Sequence, residues 1–290
     1  MEKLDEITFK FIARIKSDFP DKFGIPRQSG FLKNLRSTII FEPEFRNADA
    51  LRGLEGFSHL WILWIFSENV RDSWKPTVRP PRLGGNTRLG VFATRSSFRP
   101  NPVAMSCVKI EKINLTGENA PTIEVSGADL MDGTPIVDIK PYLPYADSIE
   151  GATGGFAEAV RFKKLEVSFA PGIVDESDDF KSADSHDCCA KFPAEKKAAL
   201  VELLSEDPRP AYQRSADRIY GIRFAGFEIK FKVEGENLTV IAIYRYRLNC
   251  LKRGSPDSDD VSSGRNSTCK NKRIGAGIVS AQIKNFLTEA

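Results

Sequence analysis

A chain of 290 residues, 41% of them hydrophobic, is long enough to bury a sizeable core and too apolar to be disordered throughout. Its 42 basic and 39 acidic residues almost balance, at a formal net charge of +3, which excludes a uniformly polycationic chain. Five cysteines, an odd number without CxxC spacing, speak against a disulfide framework and point to a reducing compartment.

In chain order, the opening MEKLDEITFK carries acids where a signal peptide would be basic and then apolar. ITFKFIARI places Ile7, Phe9, Phe11, Ala13 and Ile15 on one side at period two and predicts a half-buried strand. STIIF (Ser37–Phe41) predicts a second. NADALRGLEGF (Asn47–Phe57) begins with capping residues and predicts a short helix ending at glycine. HLWILWIF (His59–Phe66) is apolar throughout, as in a strand covered on both faces, and is too short to span a bilayer. The whole therefore reads as a soluble cytoplasmic protein. RLGVFATR, VAMSCVKIEKINL, PTIEVSGADL and TPIVDIKPYL are further strands, and KKLEVSF (Lys163–Phe169) closes the set. Ala170–Phe192, rich in Asp, Ser and Lys, reads as a loop. PAEKKAALVELLSED (Pro193–Asp207) predicts a helix with proline in its first turn, and GFEIKFKV with LTVIAIYRYRL predicts a hairpin turning at Glu234–Asn237. Beyond Leu251 the composition becomes that of a disordered tail, with IVSAQIKNFL a weak helix near its end.

Many short strands with glycine and proline turns point to a mainly β fold, a barrel or a sandwich. Strict strand–helix alternation is missing, which speaks against a parallel doubly wound sheet. The expected division is a β domain over 1–170, a linker over 171–192, a small α+β domain over 193–250 and a tail over 251–290.

No GxxxxGK[ST], HExxH or GxSxG occurs, and no strand is followed by GxGxxG, so a Rossmann dinucleotide or methyl-donor pocket is not signalled. His186, Cys188 and Cys189 in SHDCCAKF lack a second ligand pair at zinc spacing, and no metal site is assigned. His59 reads as a core histidine and Cys107 as a small buried apolar group.

The charge is not evenly spread. From Ser73 to Ile110 the chain holds seven bases (Lys75, Arg79, Arg82, Arg88, Arg95, Arg99, Lys109) and no acid. Either these arginines pair with carboxylates elsewhere in the fold, or they meet an anionic partner such as phosphate or nucleic acid. Prolines 76, 80, 81, 100 and 102 stiffen the segment, which suits recognition of a shaped anion. In LMDGTPIVDIKPYLPYADS, Asp132-Gly133 forms a tight turn whose backbone can approach a ligand closely. Asp138 and Lys140 then share one face of a strand ending at Pro141. A buried ion pair and a catalytic role fit that pattern equally.

The strings PRQSGF, NADALRGLEGFSHLWIL, WKPTVRPPRLGGN, GVFATRSSFRPNPVAMS, LMDGTPIVDIKPYLPYADS and DPRPAY resemble the TsaA/TrmO family, from about Ile7 to Leu248. The resemblance implies a small antiparallel β-barrel of non-Rossmann type with a small α+β C-terminal domain. It implies S-adenosylmethionine as cofactor and N6 of N6-threonylcarbamoyladenosine, at position 37 beside the tRNA anticodon, as the methylated atom. The cofactor pocket would map onto Pro26, Arg27, Gln28, Ser67, Glu68, Arg95, Met105, Leu130, Met131, Asp132 and Gly133. Ser67-Glu68 stands where many members carry histidine and a polar residue, and a backbone contact there survives the change. The resemblance also implies a homodimer with the pocket near its interface. Arg79, Arg82, Arg88, Arg99 and Arg209 would meet the tRNA, with Tyr212 or Phe98 stacking on an unstacked base. The carbamoyl group delocalises the N6 lone pair, so loss of the N6 proton would help methylation. Asp138 is the candidate base, with Lys140 and Tyr142 orienting the substrate, on chemistry and proximity in sequence. The alternatives are a noncatalytic tRNA-binding or S-adenosylmethionine-sensing protein, or a methyltransferase for another modified base. No metal and no membrane partner is expected.

Overall fold

The computed structural model describes residues 7–70, 73–80, 83, 86–158, 164–173, 192–209 and 218–245. Arg82, Tyr212, the His186–Cys189 cluster and the tail 251–290 lie outside the described residues. The chain divides into a unit of Phe11–Arg247 and a second of Met1–Lys10 with Leu248–Ala290. Of the second, only residues 7–10 are described, and they form no regular element.

Among the described residues the strands are β1 (Ala13–Lys16), β2 (Arg36–Phe41), β3 (His59–Ile65), β4 (Thr77–Val78), β5 (Leu89–Gly90), β6 (Val103–Asn114), β7 (Thr122–Ser126), β8 (Pro135–Pro141), β9 (Glu166–Phe169), β10 (Tyr220–Phe224), β11 (Phe227–Glu234) and β12 (Asn237–Arg245). The helices are a single turn, α1 (Pro144–Asp147), and α2 (Lys197–Ser205). Six strands close into an antiparallel barrel in the order β1-β2-β7-β6-β3-β8, with β8 returning to β1 through Ala13 opposite Ile136. Alternate residues point inward: Ile15, Ile39, Leu60, Ile62, Val108, Ile123, Val125 and Ile136 fill one core. A barrel this small has an interior of side chains, not a channel, so any ligand must sit on its outside or its ends.

The second sheet runs β10-β11-β12-β9, and α2 contributes Leu200, Leu203 and Leu204 to its core. Phe19, Leu32 and Leu35, from the long β1–β2 connection, also lie in this core.

The fold is the expected mainly β one, with local departures. The first strand covers only Ala13–Lys16 of the predicted run from Ile7. Asn47 caps Asp49 as anticipated, but the following segment forms two 3-10 turns, Ala48–Leu51 and Leu54–Gly56. Gly53 between them takes φ +89, which no continuous helix tolerates. RLGVFATR yields two strand residues and then a 3-10 turn, Val91–Ala93. KKLEVSF contributes β9, which pairs in parallel with β12 in the second sheet and not with the barrel. A strand forms there as expected, but a local pattern does not say which sheet a strand joins.

Candidate functional site

The β1–β2 connection carries PRQSG from the second core back to the barrel. Gly30 N–H donates to the Gly127 carbonyl (2.8 Å) at the end of β7, and Ser29 Oγ accepts from Cys107 N–H on β6 (3.0 Å). This brings Gln28 to Arg95, whose guanidinium donates to Gln28 Oε1 at 2.6 Å. Arg95 stands on an exposed loop, not the expected strand end. That loop is braced from both sides. Arg99 donates to the carbonyls of Thr94 (2.9 Å) and Ser96 (3.3 Å), and Asn69 donates to Ser97 Oγ (3.1 Å). Through Asn69 the exposed turn bearing Ser67 and Glu68 is tied to the loop bearing Arg95.

Beneath Arg95 lies a group that sequence reasoning missed. Trp64 Nε1 donates to Ser106 Oγ (2.9 Å), and Ser106 donates to Asp129 Oδ1 (2.5 Å). Burial pushes the Asp129 carboxyl up to about 6, against the opposing pull of the Ser106 hydroxyl and the Arg95 charge. Its sequence signal was an acid between Ala128 and Leu130, both fully buried residues.

Leu130, Asp132 and Gly133 hold the other side of the site. Leu130 is buried, and its carbonyl accepts from Ser17 Oγ (2.9 Å). Asp132 Oδ1 accepts from Ser17 N–H (2.9 Å), its own N–H donates to Phe19 O (2.8 Å), and Gly133 N–H donates to Ile15 O (2.8 Å). Gly133 takes φ +76 with open space where a Cβ would stand, so a ligand can approach its backbone. The segment thus fastens the end of β1 to the start of β8. With the Gly133 N–H given to Ile15 and its carbonyl accepting from Arg14 Nη1 (3.2 Å), a ligand can pack against the Gly133 backbone but finds its polar partner in the second oxygen of exposed Asp132, beside half-buried Met131.

The candidate catalytic residues lie on the outer barrel face. Asp138 of β8 is opposite Leu63 of β3, and Leu63 is opposite Met105 of β6. Asp138 and half-exposed Met105 therefore flank one leucine, two strand spacings or roughly 10 Å apart. Lys140 Nζ contacts Asp138 Oδ2 at 2.8 Å, but the pair is exposed rather than buried, at 63% and 45%. The Asp138 carboxylate raises the Lys140 ammonium above its ordinary value. Tyr142 packs against Trp61 (ring centroids 5.9 Å) and edge-on to His59 (6.2 Å). His59 is accordingly not a core histidine; it is half-exposed on this face with Nδ1 at 2.9 Å from Ser58 Oγ. Cys107 is also half-exposed, and burial with the Asp147 charge pushes its thiol up. A cavity of about 270 Å³, lined by Leu51, Gly53, Phe57, Leu60 and Ile139, opens beside Lys140.

The expected RNA contacts divide. Arg79 and Arg88 are exposed and have no carboxylate partner among the described residues. Arg99 braces the Arg95 loop through Nη1. Arg209 holds Asp207 through Nε (2.7 Å) and Nη2 (2.9 Å), with its side chain only 10% exposed. That leaves little of it for a phosphate. Arg27 reaches the Arg209 carbonyl at 3.5 Å, so Pro26-Arg27 borders that segment. Among the described residues no group of acids, histidines and cysteines could hold a metal, and no helix is long and apolar enough to cross a membrane.

Comparison with known proteins gives two family matches: the tRNA-methyltransferase O N-terminal domain over residues 14–148 and the TrmO C-terminal domain over 177–246. The tRNA (adenine(37)-N6)-methyltransferase of Escherichia coli strain K12 is 37% identical over 242 residues, which cover 83% of this chain and 99% of that protein. A putative S-adenosylmethionine-dependent methyltransferase, RcsF, of Pseudomonas aeruginosa is 40% identical over 219 residues, 75% of this chain and 89% of the relative. The crystal structure of TrmO from Pseudomonas aeruginosa superposes with a TM-score of 0.63 at 29% identity, covering 83% of this chain and 99% of that one.

Proposed function

The chain belongs to the tRNA-methyltransferase O family, and on that premise we propose that it methylates N6 of N6-threonylcarbamoyladenosine at position 37 of tRNA, in the cytoplasm. The observation that carries this reading is the convergence of Gln28, Arg95 and Asp129 from three distant segments, beside the barrel face that bears Met105, Asp138 and Lys140.

The residues fit S-adenosylmethionine. An exposed guanidinium with an amide as its partner suits a carboxylate, and a buried carboxyl below it suits an ammonium or sulfonium. When bound, this cofactor supplies an electrophilic methyl group. Arg95 and Gln28 would hold its carboxylate, the second oxygen of Asp132 a polar group packed over the Gly133 backbone, and Met105 its apolar side. A homodimer, with a second copy covering the open side, fits a site that lies on the barrel exterior.

For the substrate, Asp138 must accept the N6 proton as N6 acquires the methyl group. In the free protein Lys140 occupies Asp138 Oδ2. Lys140 is exposed enough to turn to the threonyl carboxylate of the modified base, which would release Asp138 to act as base. Tyr142, held by Trp61 and His59, would fix the substrate's approach.

Mass spectrometry of nucleosides from tRNA incubated with protein and S-adenosylmethionine tests the reading. One methyl gained by threonylcarbamoyladenosine is expected, with none gained on tRNA lacking the threonylcarbamoyl group. Methylation of the unmodified tRNA, or of another nucleoside, would replace this substrate.

A further inference from the structure

The β4–β5 hairpin carries a feature that the methyl-transfer site does not use. Trp74 is 50% exposed and Phe92 73% exposed, and their rings lie 6.1 Å apart at 34°. Their exposure is built in. Val91 is buried at 1% and its N–H donates to the Pro76 carbonyl (2.9 Å), so the 3-10 turn Val91–Ala93 is anchored by Val91 and turns Phe92 to solvent. Pairing of Thr77 with Gly90 holds Trp74 near it. Exposed Lys75 adjoins Trp74, and exposed Arg79 and Arg88 directly follow β4 and precede β5 on the same hairpin, within the stretch from Ser73 to Ile110 that has no acid.

We propose that Trp74 and Phe92 form a stacking platform for an unpaired base of RNA, with Lys75, Arg79 and Arg88 meeting the phosphates beside it. The proposal rests on the reading of tRNA as substrate and adds the element that engages the loop. Two apolar rings alone would fit any apolar partner. Three exposed cations on the same hairpin, in a stretch without acids, select a polyanion with flat apolar faces, and single-stranded RNA presents both. A tilted pair can take one base against either ring, while a duplex keeps its faces stacked and offers none.

The test measures binding of a labelled anticodon stem-loop and of the same stem closed as a duplex. Trp74→Ala and Phe92→Ala are each expected to weaken stem-loop binding roughly 5- to 100-fold, with an unchanged salt slope and unchanged S-adenosylmethionine affinity. Trp74→Phe should retain most of the affinity. Arg88→Ala should instead flatten the salt slope by about one. Trp74 emission, taken as the difference between wild type and Trp74→Phe, should fall on adding stem-loop and not duplex. Wild-type protein that binds and methylates tRNA while the alanine variants bind it equally well overturns the platform and leaves the function standing. Wild-type protein that binds no RNA overturns both. Alanine variants that lose self-association, or adsorption to phosphatidylglycerol vesicles, while keeping RNA affinity overturn the platform in favour of that other partner.

Discussion

Arg99 donates through Nη1 to the two carbonyls that flank Arg95, so a guanidinium that a charge count assigns to RNA braces the loop bearing Arg95. Arg95→Ala should cost cofactor affinity by about 1.5–3 kcal/mol, because it removes an exposed charged donor to the ligand carboxylate. Arg99→Ala should also weaken cofactor binding, by less, with little change in the salt slope for tRNA. Calorimetry with S-adenosylmethionine and RNA titrations at several salt concentrations check both; intact cofactor binding in Arg99→Ala would return Arg99 to the RNA. Asp129 gives a pH test. Its ordinary value is 3.8 and its folded value about 6, so between those limits the folded chain holds a proton that the unfolded chain has lost. As pH rises through this window the carboxyl progressively destabilises the fold, with the loss complete above about 6. Asp129→Asn should therefore gain on wild type between pH 4 and 7, by up to about 3 kcal/mol for a shift of this size. Urea unfolding across that range reads the gain, and a pH-independent gap would mean that Asp129 does not titrate there.

At the level of elements, what the sequence revealed depended on periodicity. β2 and β11 alternate cleanly between buried and partly exposed residues, and β2, β6, β7, β8 and the β11–β12 hairpin each form close to where the apolar, β-branched runs put them. The 3-10 turns at Ala48–Gly56 and Val91–Ala93 have no such period; they are set by Gly53 and by the burial of Val91, which only tertiary structure decides. The site behaves alike. Gln28 and Arg95 were visible as polar residues in unusual strings, whereas Asp129 required knowledge of what buries it, and Arg209 of its pairing with Asp207. The docking of PRQSG on the barrel is equally tertiary. Gly127 takes φ +80, and a Cβ there would stand 3.1 Å from Gly30 Cα and 3.2 Å from its nitrogen. Gly127→Ala should cost about 1–3 kcal/mol in backbone strain, with the crowding added to it. It should also push Gln28 away from Arg95. A lower melting temperature together with weaker cofactor binding is expected; a lower melting temperature with unchanged binding would show that the loop reaches its place without Gly30 against Gly127.

For the whole molecule, the two cores are not divided where the composition changes. Phe19, Leu32 and Leu35 belong by sequence to the barrel half, yet they are buried at 0–1% in the core built by α2 and β10–β12. Between Phe19 and Leu32 lies the PRQSG segment that brings Gln28 to Arg95. The small α+β region thus anchors both ends of a loop whose middle carries the proposed cofactor-binding Gln28. Lys196 strengthens the link through Asp18 (2.6 Å), as does the Asn34 N–H through Glu202 (3.0 Å). A fragment ending at residue 158 retains every barrel strand, so it should keep a cooperative barrel transition. It would expose Phe19, Leu32 and Leu35 to water, and at about 25 cal/mol per Å² such side chains will not hold the loop in an extended place on the surface. The fragment is therefore expected to fold, to become cleavable by protease between Phe19 and Leu35, and to bind S-adenosylmethionine at least tenfold more weakly than the full chain. Full affinity in a folded fragment would show that the barrel alone organises the site and that the second core serves another purpose.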